Sequence, residues 1–539
     1  MTEESNVNES NEASEVQEDH GSLVAARREK KRQIEERGID PWGSRFDDRI
    51  LIGEIRSRLN EVKFQKEDGT VIDLPELHED PEQRINMRQW RSDNGPGTEI
   101  GPQVRAAGRI MLQRDKGKLR FIDIQDWTGK IQLFVGQKQV GESDFELAGL
   151  FDLGDLIGVD GRLGVTNTGE LTIFAEKLHF LTKSIEPPPA KHVGMTDPEL
   201  RQRRRYVDLA YNDGVLDRFM NRSKIVQSVR QTLANDGFVE IEGPTLHSIA
   251  GGAAARPFVT HHNALDLELY MRIALELHLK RLLVGGFEKV FEIGKVFRNE
   301  GISYRHNPEF TLLESYQAYA DYKDVADMVK RLITFCAKEV AGSLIIMNEE
   351  HEINLSDNWQ ELTYVEALDK FAGINYDAVN SNADLKKQIK KLGMEIDTNL
   401  SHDVMLDEIM KKFVEPQLIQ PTFIFDYPTE ISPLAKKIEG NERFVERFEL
   451  FILGYEFANA YSELNDPVDQ KERMIEQIKK ANQGEDEIEL IDEDFVEALE
   501  YGMPPAGGLG LGIERLAMLL TGEHSIREMI LFPAMKSKE

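Results

Sequence analysis

Two arginines, a histidine and an aromatic ring crowd one short stretch of this 539-residue chain, Phe297-Arg298-Asn299-Glu300-Gly301-Ile302-Ser303-Tyr304-Arg305-His306-Asn307-Pro308-Glu309-Phe310-Thr311. Guanidinium forks bind phosphate oxygens in pairs and a phenyl face stacks on adenine, so this is a kit suited to a nucleoside triphosphate. Each residue alone reads as a surface charge or a core aromatic, and the crowding carries the signal. Arg298 and Glu300 are two apart, so a strand running through them puts both on one face, and Gly301 to Pro308 reads as a loop.

Further along, Gly507-Gly508-Leu509-Gly510-Leu511-Gly512-Ile513-Glu514-Arg515-Leu516 runs a glycine-rich strand into a helix. No Gly-Lys-Ser/Thr follows and the spacing is not a dinucleotide fingerprint, so the glycines are expected to allow close backbone approach to a ligand. Asn459, Tyr461 and Glu463 stand at i, i+2 and i+4, and Glu314 and Tyr316 repeat that spacing, which in strands aims each set at one side. Glu449 and Glu456 flank Gly454, where a tight turn brings two carboxylates together; beside a triphosphate, such hard oxygen ligands suit Mg²⁺.

These residues need elements to hold them. Val104 to Leu181 breaks into short alternating runs, VRAAGRIML, KLRFIDIQD, KIQLFV, LIGVDGRL and GELTIFAEKL, whose number and spacing predict an all-β OB-fold barrel over residues 103–184. Pro187, Pro188 and Pro189 stiffen a connector at 185–192, because proline fixes φ and lacks the backbone donor. Residues 193–539 mix both periods: Ile225, Val226, Val229 and Leu233 mark one helix face, FVEIE a strand, and Val325 to Val340 another helix. That mixture predicts an α+β domain with an antiparallel sheet.

The first 20 residues carry seven acids and no Lys or Arg, a composition expected to stay disordered. Residues 21–102 open with a basic helix, where Arg27 to Arg37 holds six basic and three acidic residues, read equally well as a solvated face or a phosphate-contacting one. They continue through a turn-rich insertion, 61–101, without a sustained period. Sixty-six Lys and Arg against 96 Asp and Glu give a net charge of −30, so a polyanion must be held by local basic patches. The single cysteine, Cys336, rules out an intramolecular disulfide framework, and no signal peptide or long apolar run is present; a soluble cytoplasmic protein with no membrane contact is expected.

The FVEIEGPTL segment, the Phe297–Thr311 block and the glycine-rich C-terminal block occur in the order and spacing of motifs 1, 2 and 3 of the class II aminoacyl-tRNA synthetases, which the chain resembles. The resemblance narrows to the bacterial-type lysyl branch through GGAAARPFVTHHNALDLELYMRIALELHLKRLLVGGFEKVFEIGKVFRNEGISYRHNPEFT, DYPTEISPLAKK, FANAYSELND and SIREMILFPAM, and covers about residues 104–535. It implies a homodimeric lysine–tRNA ligase. Lysine would be activated by ATP to lysyl-adenylate with loss of pyrophosphate and then passed to tRNA(Lys).

The same resemblance assigns roles. Arg298, Arg305 and Arg515 would be catalytic; Arg515 and Phe310 would sandwich adenine, Glu300 and Asn307 would fix the nucleotide, and His306 would approach the phosphates. Glu276 and the backbone at Gly252 would hold the α-amino group of L-lysine, and Arg298 and Asn459 its carboxylate. An ammonium on an apolar stem wants a carboxylate, a phenol and aromatic walls, which makes Glu463 and Tyr316 the candidates for the ε-ammonium, with Glu314 and Tyr461 beside them. Glu449 and Glu456 match the family's Mg²⁺ ligands. In the barrel, Arg114, Phe121, Gln132 and Glu170 would read the anticodon, Phe121 by stacking. Three positions depart from the pattern: Gly243 replaces a usual Thr in motif 1, Leu275 a usual Pro before the glutamate, and Glu514 a common Asp. Three alternatives are disfavoured: an aspartyl- or asparaginyl-type relative by Glu276 and Glu463, a lapsed RNA-binding or regulatory relative by Arg298, Arg305, Glu449, Glu456 and Arg515, and a protein-lysylating relative by the anticodon-type OB segment.

Overall fold

The computed structural model describes residues 4–78, 80–189, 194–253, 255–348, 350–356, 358–379, 381–481 and 491–537. The chain divides into two units, Met1–Thr196 and Asp197–Glu539. The connector expected at 185–192 lies outside the described residues from position 190 onward.

In the first unit, strands β1 (Gln103–Lys116), β2 (Leu119–Asp126), β3 (Gly129–Gly136), β4 (Leu156–Val165) and β5 (Leu171–Thr182) close a barrel in the order β1-β2-β3-β5-β4. Alternation does the sorting. Ile122, Ile124, Ile131, Leu133, Ile157, Val159 and Ile173 point inward and are fully or almost fully buried, while the residues between them face outward. A long helix, α1, covers Glu4–Glu36, so it runs back through most of the acidic stretch expected to be disordered. Its basic part is divided: Arg28, Arg32 and Arg37 are exposed, whereas Arg27 and Lys30 turn to the barrel. Arg27 donates to the carbonyls of Ser184 and Leu153, Lys30 pairs with Asp152 at 2.6 Å, and Ile34 is buried in the barrel's core cluster. The 61–101 insertion forms a small sheet from Lys63–Lys66, Val71–Asp73 and Gly97–Ile100, plus a helix over Met87–Asp93. Strands of three or four residues are too short to show a period in sequence.

The second unit is built on one large sheet. Its strands are β6 (Val239–Glu240), β7 (Lys289–Phe297), β8 (Glu309–Ala318), β9 (Gln360–Thr363), β10 (Thr422–Pro428), β11 (Asn441–Ile452), β12 (Tyr455–Ser462) and β13 (Ala506–Gly512). Their order is β9-β10-β11-β12-β13-β8-β7-β6, antiparallel except at the two outer pairs, and Lys437–Ile438 adds a short strand on β11. One face packs on α2 (Val215–Asn235), α4 (Tyr322–Ala341) and α5 (Ile513–Thr521), with Ile225, Val329, Leu332 and Leu516 among the fully buried contacts. The opposite face carries α3 (Glu276–Val284) and, towards β10, the helices around Asn382–Leu392 and His402–Ile409. An OB-type barrel followed by an α+β domain on a largely antiparallel sheet is therefore the architecture. Among the described residues, no helix is long and apolar enough to cross a membrane.

Candidate active site and nucleic-acid interface

The sheet face opposite the main core carries a row of cross-strand partners: Glu314 on β8 faces Gly510 on β13, Gly510 faces Asn459 on β12, and Asn459 faces Glu449 on β11. Two residues along, a parallel row reads Tyr316, Gly508, Tyr461, Arg447. Leu509 and Leu511, one step out of phase, are buried on the other face, so GGLGLG is a period-2 strand with glycine towards the site. The glycines clear a floor. A Cβ at Gly510 would meet nothing nearer than the Asn459 carbonyl at 3.8 Å, whereas one at Gly508 would collide with Glu463 and the Tyr316 ring.

At one end of this floor, buried carboxylates converge. Glu276 opens α3, Glu314 lies on β8 and Glu463 follows β12; they are 5%, 4% and 1% exposed. Tyr316 donates to Glu314 at 2.9 Å and Tyr461 donates to Glu276 at 2.8 Å. Burial, with Glu276 nearby, pushes the Glu314 carboxyl up to about 7, and burial raises Glu463 well above its ordinary value against the opposing pull of Lys280. Gly252 has a left-handed φ of 86°, and a Cβ there would press on Ala274 and Glu276, so its backbone lies beside the Glu276 stem. The residues expected to hold lysine's two ammonium groups are thus brought together. Sequence reasoning missed Lys280, which is completely buried and ion-paired to both Glu276 and Glu463. Its only signal was the i, i+4 spacing from Glu276.

The departure at Leu275 has a structural consequence. Its amide donates to Glu314 at 2.9 Å, a bond that a proline could not make. Gly243 donates its amide to Glu292 at 3.0 Å, and a Cβ there would sit 2.9 Å from that carboxylate oxygen. Glu514 ties Arg222 of α2 to the Thr311 amide of β8, at 2.8 and 2.9 Å.

Towards the other end of the face, guanidinium groups gather. The strand expected to carry Arg298 and Glu300 stops at Phe297, because the Phe297 amide is given to the Arg272 carbonyl and the Arg298 amide to Pro308, closing the base of the loop. Glu300 then donates its amide to the Arg298 carbonyl in a tight turn and is exposed. Arg298 lies 5.2 Å from the Phe310 ring centroid, Arg305 lies 4.2 Å from that of Tyr455, and Arg515 bonds the Glu456 carbonyl and approaches its carboxylate at 3.4 Å. His306 accepts from or donates to Ser303 at 3.0 Å; burial and then the positive field of Arg515 lower its imidazole, with Arg305 and Arg298 adding to the effect. A histidine under three guanidinium groups marks a site short of negative charge. The buried Nε of Arg305 and Oδ1 of Asn307 have no hydrogen-bond partner among the described residues.

Leu453 and Gly454, both with positive φ, make a two-residue hairpin turn between β11 and β12. Next to it the register slips: Leu450 faces Ala458 but Phe451 faces Glu456, a bulge that sends Phe457 into the main core and turns Glu456 to the site face. Glu449 accepts from Tyr427 at 2.9 Å and from Asn459 at 3.3 Å, and pairs with Arg447; Arg447 in turn donates to Asn459 at 3.1 Å. Burial, then the Arg447 charge opposing it and Glu456 reinforcing it, leaves Glu449 pushed up to about 7, and Glu415 is likewise pushed up to about 7 by burial and by Glu449 and Glu456. Hard oxygen donors crowded until two of them resist ionising fit a divalent cation. Among the described residues, no three His, Cys, Asp or Glu groups are arranged to hold a metal ion.

On the barrel, Phe121, Phe134 and Phe174 are successive cross-strand partners with centroids 5.5 and 5.1 Å apart, and Arg162 sits 5.5 Å over Phe174. Phe134, Phe174 and Arg162 were not singled out from sequence, though each lies at an outward position of an alternating strand. Arg114 faces Phe121 across β1 and β2, 5.9 Å from its ring. Gln132 accepts from Thr172 at 3.2 Å, and Glu170 is ion-paired with Arg84.

Comparison with known proteins agrees with this geometry. Residues 197–536 match the family described as tRNA synthetases class II (D, K and N), and residues 104–181 match the OB-fold nucleic acid binding domain. The chain is 47% identical over 523 residues to a lysine–tRNA ligase of Staphylococcus epidermidis, 48% over 523 to one of Staphylococcus aureus and 48% over 524 to one of Staphylococcus haemolyticus. Each match spans 97% of this chain and all of the relative.

Proposed function

The chain belongs to the lysine–tRNA ligases of class II, which activate lysine and charge tRNA with it, and from that premise we propose how its residues divide the work. The observation that carries the reading is the sorting of charge along one sheet face, with buried carboxylates and phenols at one end and guanidinium groups at the other. Glu463 and Tyr316 take the ε-ammonium of lysine, with Glu314 bracing Tyr316. Glu276 and the Gly252 backbone take the α-amino group, and Tyr461 walls the stem. Arg298 and Asn459 hold the lysine carboxylate facing the α-phosphorus of ATP.

No covalent link to the protein is needed, so rate comes from alignment and charge. The lysine carboxylate oxygen attacks the α-phosphorus, the bond to pyrophosphate breaks, and lysyl-adenylate remains. Arg298, Arg305 and Arg515 stabilise the charge gathering on the phosphates, His306 approaches them, Phe310 and Arg515 hold adenine between them, and Glu300 and Asn307 fix the nucleotide. Glu449 and Glu456 would hold Mg²⁺, which offsets charge on the leaving pyrophosphate. The terminal ribose hydroxyl of tRNA(Lys) then attacks the lysyl carbonyl and releases AMP.

Arg114, Phe121, Gln132 and Glu170 read the anticodon; the aromatic row on the barrel supports stacking by unpaired bases. Glu170 must exchange Arg84 for a base to act as an acceptor. The exposed apolar side chains of Val239, Leu246, Val259 and Leu267 support a homodimer, and the sole cysteine, buried and unpaired, supports a cytoplasmic location. Amino-acid-dependent ATP–pyrophosphate exchange with all standard amino acids in parallel tests the reading. Lysine should dominate, and faster exchange with aspartate or asparagine would overturn it.

A further inference from the structure

Glu463, the expected partner of the substrate's ammonium, already has an ammonium beside it. Lys280 Nζ on α3 pairs with Glu463 and with Glu276, and it lies 5.4 Å from the Tyr461 ring centroid and 5.9 Å from that of Tyr316. Lys280 is completely buried, and Glu463 Oε1, also buried, has no hydrogen-bond partner among the described residues. We infer that Lys280 is a positioning and specificity-determining residue for lysine: it draws one side of the Glu463 carboxylate towards α3 and leaves the other side for the substrate, so fixing the depth at which an ε-ammonium is met.

This rests on the lysine-pocket reading above and extends it. The groups facing Lys280 are Glu276 on its own helix, Tyr461 and Glu463 at the end of β12, and Glu314 and Tyr316 on β8, with Arg298 acting on Glu314 from the loop after β7. When all three are ionised, the carboxylates face two fixed cations, Lys280 and Arg298. The deficit is one positive charge, which is the net charge that lysine brings. Without Lys280 the deficit doubles, and in a dry site the spare carboxylate takes a proton in place of the substrate. The pocket is neutral with all three carboxylates ionised only when lysine is bound, and an uncharged side chain leaves one carboxyl to be protonated, so Lys280 is part of the discrimination as well as of the scaffold.

Two variants test this, with kinetics read by pyrophosphate exchange. K280M removes the ammonium at similar volume. Its lysine KM should rise more than tenfold at pH 7 while its ATP KM stays within about twofold, and the pH at which lysine KM levels off should move up by about one unit or more. K280R keeps the charge on a longer stem, so it should keep the wild-type pH profile but push Glu463 into the pocket, raising the kcat/KM of ornithine relative to lysine. A K280M enzyme with wild-type lysine KM and pH profile overturns the inference; if K280M does not fold, a K280R enzyme with the wild-type ornithine-to-lysine ratio overturns it. E463Q run alongside separates the two levels: an unchanged lysine KM there removes the pocket reading itself, whereas a raised one beside an inert K280M removes only the role of Lys280.

Discussion

The carboxylate end and the guanidinium end of the site share one sheet face and a common glycine floor, yet they are built differently. Around Glu276, Glu314 and Glu463 the carboxylates are buried and held within the chain through Lys280, Tyr316, Tyr461 and the Leu275 amide, with Glu463 Oε1 left as an open acceptor. Around Arg298, Arg305, His306 and Arg515 the groups are half-exposed or unpartnered, as at Arg305 Nε and Asn307 Oδ1. The difference follows from the ligands. A small cation recognised by length needs carboxylates fixed to fractions of an ångström, because a buried charge tolerates no slack. A triphosphate brings its own charge and many acceptors, so it can organise arginines that wait on a loop.

The comparison breaks most completely if the common floor is filled. Gly510→Val should fold, since a Cβ there meets only the Asn459 carbonyl at 3.8 Å and valine suits a strand, but it should lower exchange by about 100-fold or more through displaced substrates. Wild-type melting with wild-type exchange would show that the floor is not where the ligands lie. Glu456→Gln tests the guanidinium end. Adenylate formation should drop several-fold even at saturating lysine and be partly restored by extra magnesium, so superimposable magnesium curves for mutant and wild type would remove Glu456 from the metal site.

A contrast outside the sheet face should be nearly as large in one assay and absent in the other. Phe121→Ala removes the end of the aromatic row, and at ~1–3 kcal/mol per stacked base it should slow tRNA charging by about tenfold or more while exchange stays intact. Equal losses in both assays would make the barrel residue a structural support instead. The smallest effect is in pH. Burial pushes the Glu314 carboxyl from an ordinary 4.5 up to about 7, which favours its protonated form in the empty pocket at pH 6, and a lysine ammonium bound beside it favours release of that proton. Lysine KM should therefore fall several-fold from pH 6 to pH 8. The same raised value works against stability: the penalty grows as pH rises from about 4.5 to about 7 and is constant above, so the ligand-free enzyme should melt higher at pH 6 than at pH 8, and lysine should narrow that gap. A flat lysine KM over this range would contradict the buried-carboxylate pocket.

Much of this layout is legible in the chain because alternation is a strong constraint. Glycine against leucine in residues 507–512 already separates site face from core face, and Asn459, Tyr461 and Glu463 follow the same parity. Parity fails where the ladder does. A bulge beside Gly454 turns Glu456 to the site and sends Phe457 into the core, and nothing in the residue types announces it. Arg298 and Glu300 read as strand by spacing but are pulled off the ladder by the Pro308 carbonyl. Lys280 and Arg447 are long charged residues of the sort that ordinarily face water, so only the carboxylates that surround them in space identify them as interior. The helices over Asn382–Leu392 and His402–Ile409, which cover the β10 end of the face, follow ordinary amphipathic patterns whose partner could not be named without the fold.

The sorting of charge is tested most directly by a crossed pair of variants, Glu463→Gln and Arg305→Met, with lysine KM and ATP KM measured for both by pyrophosphate exchange. If the two ends are separate recognition sites, Glu463→Gln raises lysine KM more than tenfold, as truncating one side of a buried charge pair does at ~2–5 kcal/mol, and leaves ATP KM nearly unchanged; Arg305→Met does the reverse. Both constants moving together in both variants would contradict it.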